Sequence, residues 1–238
     1  EMRESDWSSD VCSSDLNSYL NTLGTAYKLT DEVTLLAKNV LNYTNNKAQD
    51  SGDRFINRFQ LGAAYRDVQT NRFDALSKIE HRYEKNETTL SDPYERSAYI
   101  LSTHLNYHPV RDIHLSGQYA VKYLDETYDF IQTSGMTQML NTRFMYDINE
   151  RWDAGVNTGV MWNNVSDGIR YLAGVEVGYL LAANLWVSGG YNFIGYNDKD
   201  LTDGETTMDG TYFRFRFKFD ENLLNRKNKF VNKALEPK

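Results

Sequence analysis

Four histidines are the side chains of this sequence best suited to bind a metal ion, because imidazole is the commonest metal ligand in proteins. They are His81, His104, His108 and His114. His104 and His108 fall on the same face of a predicted strand, where strand rise separates them by about 13 Å. Two ligands of one ion must both lie about 2 Å from it, so this pair is too far apart to share an ion unaided. We predict ordinary polar residues on the inner face of a sheet, with no metal site and no cofactor.

Catalytic motifs are also missing from the sequence. There is no G-x-S-x-G elbow, no P-loop and no H-E-x-x-H helix. The one cysteine, Cys12, allows neither a disulfide within the chain nor a cysteine metal site. Lipases and proteases with Ser/His or Asp/His sites do exist on β-folds, but no such group stands out here. We predict no enzymatic activity and no catalytic residue.

Composition narrows the fold class and the partners. The chain has 238 residues with 13% aromatic residues, only three prolines and a net charge of -7. Aromatic enrichment of this kind is typical of β-strands, and an acidic chain lacks the basic patch that neutralises phosphates, so nucleic acid is excluded as a partner. No apolar run approaches the ~18 residues of a membrane helix. Any membrane crossing must therefore use strands.

Apolar and polar residues alternate with a period of two along the whole chain, which is typical of strands with one apolar and one polar face. The clearest segment is 169–181, where Ile169, Tyr171, Val175 and Val177 share one face. Segments 152–162 and 113–123 follow the same pattern and are each about eleven residues long. Soluble strands average about five or six residues, whereas a tilted strand that crosses a bilayer needs about 9–11.

This alternation predicts eleven strands joined by connections that alternate in length. The predicted strands are 18–29, 33–45, 55–67, 73–86, 96–108, 113–125, 137–148, 152–164, 169–181, 185–197 and 211–219. Short turns are predicted at 30–32, 69–71, 110–112, 149–151 and 183–184, and longer loops at 47–54, 86–95 and 198–210, with 166–168 a short exception. Short turns at one end and long loops at the other are typical of transmembrane barrels, with the short turns periplasmic. We predict an all-β, up-and-down antiparallel transmembrane β-barrel in the bacterial outer membrane.

A tyrosine precedes each short turn by a few residues, in a hairpin repeat of about 35–40 residues. These residues are Tyr27, Tyr65, Tyr107, Tyr146 and Tyr179. Recurrence at one register favours an interfacial aromatic girdle, although tyrosine is also simply common in strands. A β-propeller has a similar period, but its blades need four short strands where each repeat here holds two long ones.

Charged residues occupy the opposite face and predict a polar lumen. Those that define it are Arg58, Arg66, Lys78, Glu80, Arg82, Lys122, Arg143, Arg170, Glu176, Arg214, Arg216 and Lys218, together with Lys38, Glu84, Asp147 and Asp153. Because both signs are present, we expect cross-strand ion pairs. Such pairs would make the lumen filled or narrow. The alternative is an open pore that favours anions, since cations outnumber acids in this set.

The last predicted strand carries the most specific motif. Gly210, Phe213, Phe215, Phe217 and Phe219 alternate with cations. The motif resembles the carboxy-terminal assembly signal of outer-membrane barrels, although Met208 stands where that signal has a polar residue and the chain continues past Phe219. Segment 184–221 also resembles the terminal hairpin of barrels that end large modular surface proteins of Gram-negative bacteria. The resemblance implies outer-membrane lipid and the barrel-assembly machinery as partners, with passenger domains upstream in the same chain.

The start of the chain has a different character. Residues 4–16 look like translated sequencing adapter, the alternative being a polar Ser/Asp-rich linker. We therefore divide the chain into a non-native segment 1–16, an N-terminally truncated barrel 17–220 and a polar tail 221–238. A closed bacterial barrel has an even number of strands, so the eleven predicted strands imply at least one further strand. Three functions remain open: a membrane anchor or translocation domain of a larger surface protein, a porin-like channel for small solutes, or a soluble all-β binding domain.

Overall fold

The computed structural model describes residues 16–46, 52–87, 93–129, 131–165, 168–182, 185–198, 200–202 and 207–217. In these residues it has eleven β-strands, between 8 and 17 residues long. The strands are β1 Leu16–Lys28, β2 Val33–Asn46, β3 Asp53–Arg66, β4 Phe73–Asn86, β5 Tyr94–Val110, β6 Ile113–Tyr128, β7 Ile131–Asp147, β8 Trp152–Asn163, β9 Gly168–Ala182, β10 Leu185–Ile194 and β11 Gly210–Phe217. The adapter-like segment up to residue 15 and the tail 221–238 lie outside the described residues.

All eleven strands belong to one sheet, in the order in which they follow each other along the chain. Every neighbouring pair is antiparallel, for example Tyr19 opposite Tyr43 and Trp152 opposite Tyr179. The predicted all-β, up-and-down antiparallel fold is confirmed. Within the described residues, β1 and β11 each pair with one strand only.

The sheet curves around its polar face. Asp200, in the connection after β10, bonds Arg82 of β4 at 2.5 Å. Six strand spacings separate β4 from β10, which would amount to about 29 Å across a flat sheet. The contact therefore crosses the concave side of a barrel-shaped sheet.

Burial is reversed relative to a water-soluble protein. On the concave, inward face Glu80 is 1% exposed and Glu176 is 2% exposed. On the convex, outward face Leu23 is 70% exposed and Phe215 is 72% exposed. The two faces alternate residue by residue because strand side chains alternate. Most large apolar side chains of this sheet thus point away from the molecule, and buried charged ones point into it.

The connection between β6 and β7 differs from the prediction. Residues 126–136 were expected to be a connection, but β6 continues to Tyr128 and β7 begins at Ile131. Asp129 has a φ of 54° in this tight turn, a left-handed conformation that Asp tolerates better than most residues. The contrast between short and long connections is therefore weaker than the sequence suggested, because a second connection at the long-loop end is short.

Among the described residues, no helix is long and apolar enough to span a membrane.

Candidate functional site

The connection after β10 folds into the concave side of the sheet. It leaves β10 at Gly195, where an added Cβ would lie 2.4 Å from the carbonyl oxygen of Thr207. Only glycine allows the two arms of the connection to approach this closely, and the amide of Tyr196 donates to that same oxygen at 2.7 Å. We call residues 196–198 and 200–202 the interior turn.

Asp200 is the electrostatic centre of the interior turn. Its carboxylate, with a side chain 8% exposed, lies 2.5 Å from Arg82 Nη1, 2.9 Å from Arg96 Nη2 and 3.1 Å from Lys122 Nζ. These three cations come from the adjacent strands β4, β5 and β6. Lys122 also binds Asp198 at 2.6 Å. The turn thus adds negative charge beside three inward-facing cations.

Burial alone would raise the pKa of the Asp200 carboxyl, but Lys122, Arg96 and Arg82 outweigh it and hold that pKa below its ordinary value. Asp200 is therefore ionised at neutral pH. Burial also raises the pKa of the Tyr196 hydroxyl, to about 12. That hydroxyl is neutral and donates a hydrogen bond to Asn141 of β7.

Apolar side chains complete the docking of the interior turn. Tyr196 and Leu201 are 3% and 4% exposed. They join a cluster with inward-facing residues of β5 to β9, namely Ile100, Ala120, Met139, Met161 and Leu172. Full burial of a leucine side chain stabilises by about 1.5–3 kcal/mol. The turn is thus held by a small hydrophobic core as well as by charge.

A second polar cluster lies on the inward faces of β7 to β11. Glu176 accepts a bond of 2.7 Å from Arg143 and one of 3.0 Å from the Tyr212 hydroxyl. Asn157 donates to the same hydroxyl at 2.7 Å, and Arg214 lies 3.8 Å from Glu176. This buried network joins strands that are not neighbours and so braces the interior.

The predicted lumen charges divide into paired and unpaired groups. Glu80 binds Lys78 at 3.0 Å and also binds Arg82, and Arg66 bonds Asn71. Among the described residues, the side chains of Lys38, Arg58, Arg170 and Arg216 form no hydrogen bond or ion pair, and Lys218 lies outside the described residues. The pairs are made along one strand, between neighbouring strands such as Arg54 of β3 and Glu84 of β4 at 2.7 Å, between non-neighbouring strands and to the interior turn. Sequence reasoning missed Arg96, Asp198 and Asp200, although acids in a long loop beside a cation-rich face were a usable signal.

The histidines are arranged differently from the prediction. His81 lies on the outward face, where it bonds Ser97 at 3.1 Å. The β5–β6 hairpin instead brings the rings of His108 and His114 to 4.5 Å, and His114 Nε2 lies 3.2 Å from Asp147. No three His, Cys, Asp or Glu side chains of the described chain are arranged to hold a metal ion.

The predicted girdle tyrosines lie on the outward face near the short turns. Tyr27, Tyr107 and Tyr146 are 64%, 45% and 46% exposed, while Tyr65 and Tyr179 are half-buried. Tyr65 packs against Phe73 and Tyr179 against Trp152, with ring centroids 5.9 and 4.7 Å apart. Their interfacial role remains a prediction.

The aromatic stripe of the last strand also faces outward. Phe213, Phe215 and Phe217 are 74%, 72% and 44% exposed, and Phe219 lies outside the described residues. Gly210 begins β11 with a φ of 107°, a conformation open to glycine. Recognition of this strand by an assembly machinery remains a prediction.

Comparison with known proteins gives little further information. No protein-family model matches this chain, and no curated protein sequence matches it. Among solved structures, a NanC porin in a rhombohedral crystal form is similar, with 11% sequence identity and a TM-score of 0.45. The match covers 85% of this chain and 94% of that chain. The chain's own residues therefore carry the functional assignment.

Proposed function

We propose that this chain is a β-barrel of the bacterial outer membrane and that it anchors a larger surface protein. The observation that carries the membrane part is the reversed burial. Phe213 is 74% exposed on the outward face, while Glu80 is 1% exposed on the inward face. In water, this outward face would be an apolar patch far larger than soluble monomers expose. In lipid, the same face is solvated by acyl chains.

The height of the outward apolar face supports the membrane proposal. Exposed aromatic residues mark both of its ends, at Tyr99 and Tyr107 on β5 and at Tyr19 and Tyr27 on β1. Eight residues span about 26 Å of strand, or about 20 Å of bilayer at the usual tilt. Transmembrane barrels carry an apolar band about 25 Å tall between aromatic girdles.

The filled interior supports anchoring over transport. The interior turn fixes three cations through Asp200 and packs Leu201 against inward-facing strands. The Glu176 network also joins β7, β8, β9 and β11 through their inward faces. A barrel built to conduct solutes has no need of a buried core within its lumen, whereas a barrel that serves as a support gains rigidity from it.

The membrane proposal is tested by heat-modifiable gel mobility of the full chain refolded into detergent and into phospholipid vesicles. Folded outer-membrane barrels resist detergent unfolding until heated, so we expect a mobility shift and protection from external protease. A monomer that is soluble in water and shows no shift would refute the membrane proposal.

A porin-like channel is the second candidate, and exposed inward cations favour it. Lys38 and Arg58 lie on β2 and β3, whereas the ion pairs of the interior turn within the described residues are with β4, β5 and β6. An aqueous path along these strands would favour anions. Planar-bilayer recordings separate the two functions: steady anion-selective conductance supports a channel, and its absence from a folded barrel supports an anchor.

A further inference from the structure

A cavity of about 610 Å³ opens on the outward face of β4 to β8, away from the interior turn. Its floor is formed by Gly117, Thr142 and Thr158, and aromatic side chains, among them Tyr107 and Phe144, form a wall. We call this cavity the outer groove. It lies toward the short-turn end of the sheet.

The outer groove follows from the register of the strands. Gly117 pairs with Thr142, and Thr142 pairs with Thr158, so three small residues form one row across β6, β7 and β8. The next row toward the short turns holds Leu115 and Phe144 in pairing positions. A row of small side chains beside a row of large ones produces a groove in the surface.

The floor of the outer groove suits an apolar ligand. A Cβ added at Gly117 would meet no atom within 4 Å, so the space above this residue is empty. The hydroxyls of Thr142 and Thr158 bond each other at 2.8 Å. Since one hydroxyl donates to the other, a hydrocarbon chain in the groove would leave neither oxygen without a hydrogen-bond partner.

A cation lies next to the outer groove along the chain. Arg72 is exposed in the turn between β3 and β4 and directly precedes Phe73, which lines the groove. The amide of His108 donates to the carbonyl of Arg72 at 2.7 Å, which fixes the Arg72 backbone beside β5. An exposed guanidinium at the level of the short turns can pair with a phosphate.

We propose that the outer groove binds one acyl chain of a phospholipid from the leaflet at the short-turn end, and that Arg72 pairs with the lipid phosphate. The proposal rests on the membrane part of the proposed function, because only a face within lipid meets acyl chains. The proposed lipid is held in the groove by shape and charge, unlike the exchanging lipids that surround every barrel.

The test uses native mass spectrometry of the full chain in detergent, titrated with palmitoyl-oleoyl phosphatidylglycerol. Gly117→Leu fills the groove, and we expect it to weaken the first lipid-binding step at least tenfold. Gly189→Leu is the matched control: it is another outward strand glycine, its added Cβ would contact the Phe213 ring at 3.4 Å, and it lies outside the groove. We expect Gly189→Leu to bind lipid like the wild type.

Two further variants keep the test decisive. Thr158→Leu narrows the floor from a different strand, so it replaces Gly117→Leu if that variant loses its heat-modifiable mobility. Arg72→Gln should weaken phosphatidylglycerol binding about threefold and leave binding of uncharged diacylglycerol unchanged, as expected for loss of one charge pair.

Each outcome bears on one proposal. Equal lipid occupancy in the wild type, Gly117→Leu, Thr158→Leu and Gly189→Leu would show surrounding lipid only and overturn the groove proposal. Because those variants are first required to show heat-modifiable mobility, that result would leave the barrel proposal standing. A wild-type chain without the mobility shift would instead refute the barrel proposal.

Discussion

Arg82 and Asp200 lie 118 positions apart in the sequence, yet Arg82 Nη1 donates a hydrogen bond of 2.5 Å to Asp200 Oδ1. The bond joins β4 to the interior turn across the concave side of the sheet. Arg96 and Lys122 contact the same carboxylate at 2.9 and 3.1 Å. One acidic side chain thus contacts cations from three strands, and removing its charge should weaken the attachment of the interior turn to all three.

Asp200→Asn should destabilise the folded barrel by at most about 3–5 kcal/mol, because it removes the acid that pairs with Arg96, while Arg82 keeps Glu80 and Lys122 keeps Asp198. Arg96 is 34% exposed and regains some water, so we expect the lower end of this range. Urea unfolding in phospholipid vesicles measures the difference. Asp209→Asn is the matched control, since Asp209 is an exposed acid of the same connection. Equal losses in the two variants would contradict the role of Asp200.

The contribution of Asp200 to the stability of the fold should decrease at low pH. Its pKa is held below the ordinary value by Lys122, Arg96 and Arg82, against the effect of burial. Because the pKa is lower in the folded state, the ionised carboxylate stabilises the fold above the unfolded-state pKa of about 3.9. This stabilisation is lost as the pH falls through the folded-state pKa. The free-energy difference between wild type and Asp200→Asn should therefore be constant above about pH 5 and shrink below about pH 4. A difference that grows on acidification would contradict this sign.

Leu201→Ala tests the apolar part of the interior turn. Leu201 is 4% exposed among inward-facing side chains, so truncation leaves a cavity and should cost about 2–5 kcal/mol in urea unfolding. Leu140→Ala is the control, because Leu140 is 43% exposed on the outward face. Lipid can fill the space that this second truncation leaves, so we expect a smaller loss. If Leu140→Ala costs more than Leu201→Ala, the interior turn is not a packed core.

Val175→Arg separates the membrane barrel from a soluble sheet. Val175 lies at the middle of β9 and is 43% exposed on the outward face. In water, such a surface change alters stability by less than about 0.5 kcal/mol. At the middle of a bilayer, an arginine on the lipid face costs about 2–4 kcal/mol. We expect the larger loss in vesicle unfolding and little change for Val175→Leu.

Strand positions were predictable from the sequence because a period of two is set locally, by the pleat. The ends of β6 and β7 were not, because Glu126 and Gln132 lie in polar stretches that carry no alternation. The inward direction of Lys122 was predictable, but its partners were not. The bond between Lys122 and Asp200 spans 78 positions, and only the curvature of the whole sheet brings them together. Leu201, an apolar residue within a polar loop, was the local sign that this loop packs inward.

The state of the lumen gives the last prediction, which concerns conductance in planar bilayers. If the interior turn closes the barrel, the wild type should conduct little, and Asp198→Asn with Asp200→Asn should open it by releasing Lys122, Arg82 and Arg96. The opened lumen would expose Lys122 and Arg96 without Asp198 and Asp200, so the current should favour anions, and this preference should weaken as salt screens the cations. Replacing Lys38 and Arg58 with glutamate in the Asp198→Asn, Asp200→Asn double variant should shift the ion selectivity toward cations. A wild type that already conducts anions as well as the double variant would show that the turn leaves the lumen open, and would favour the channel over the anchor.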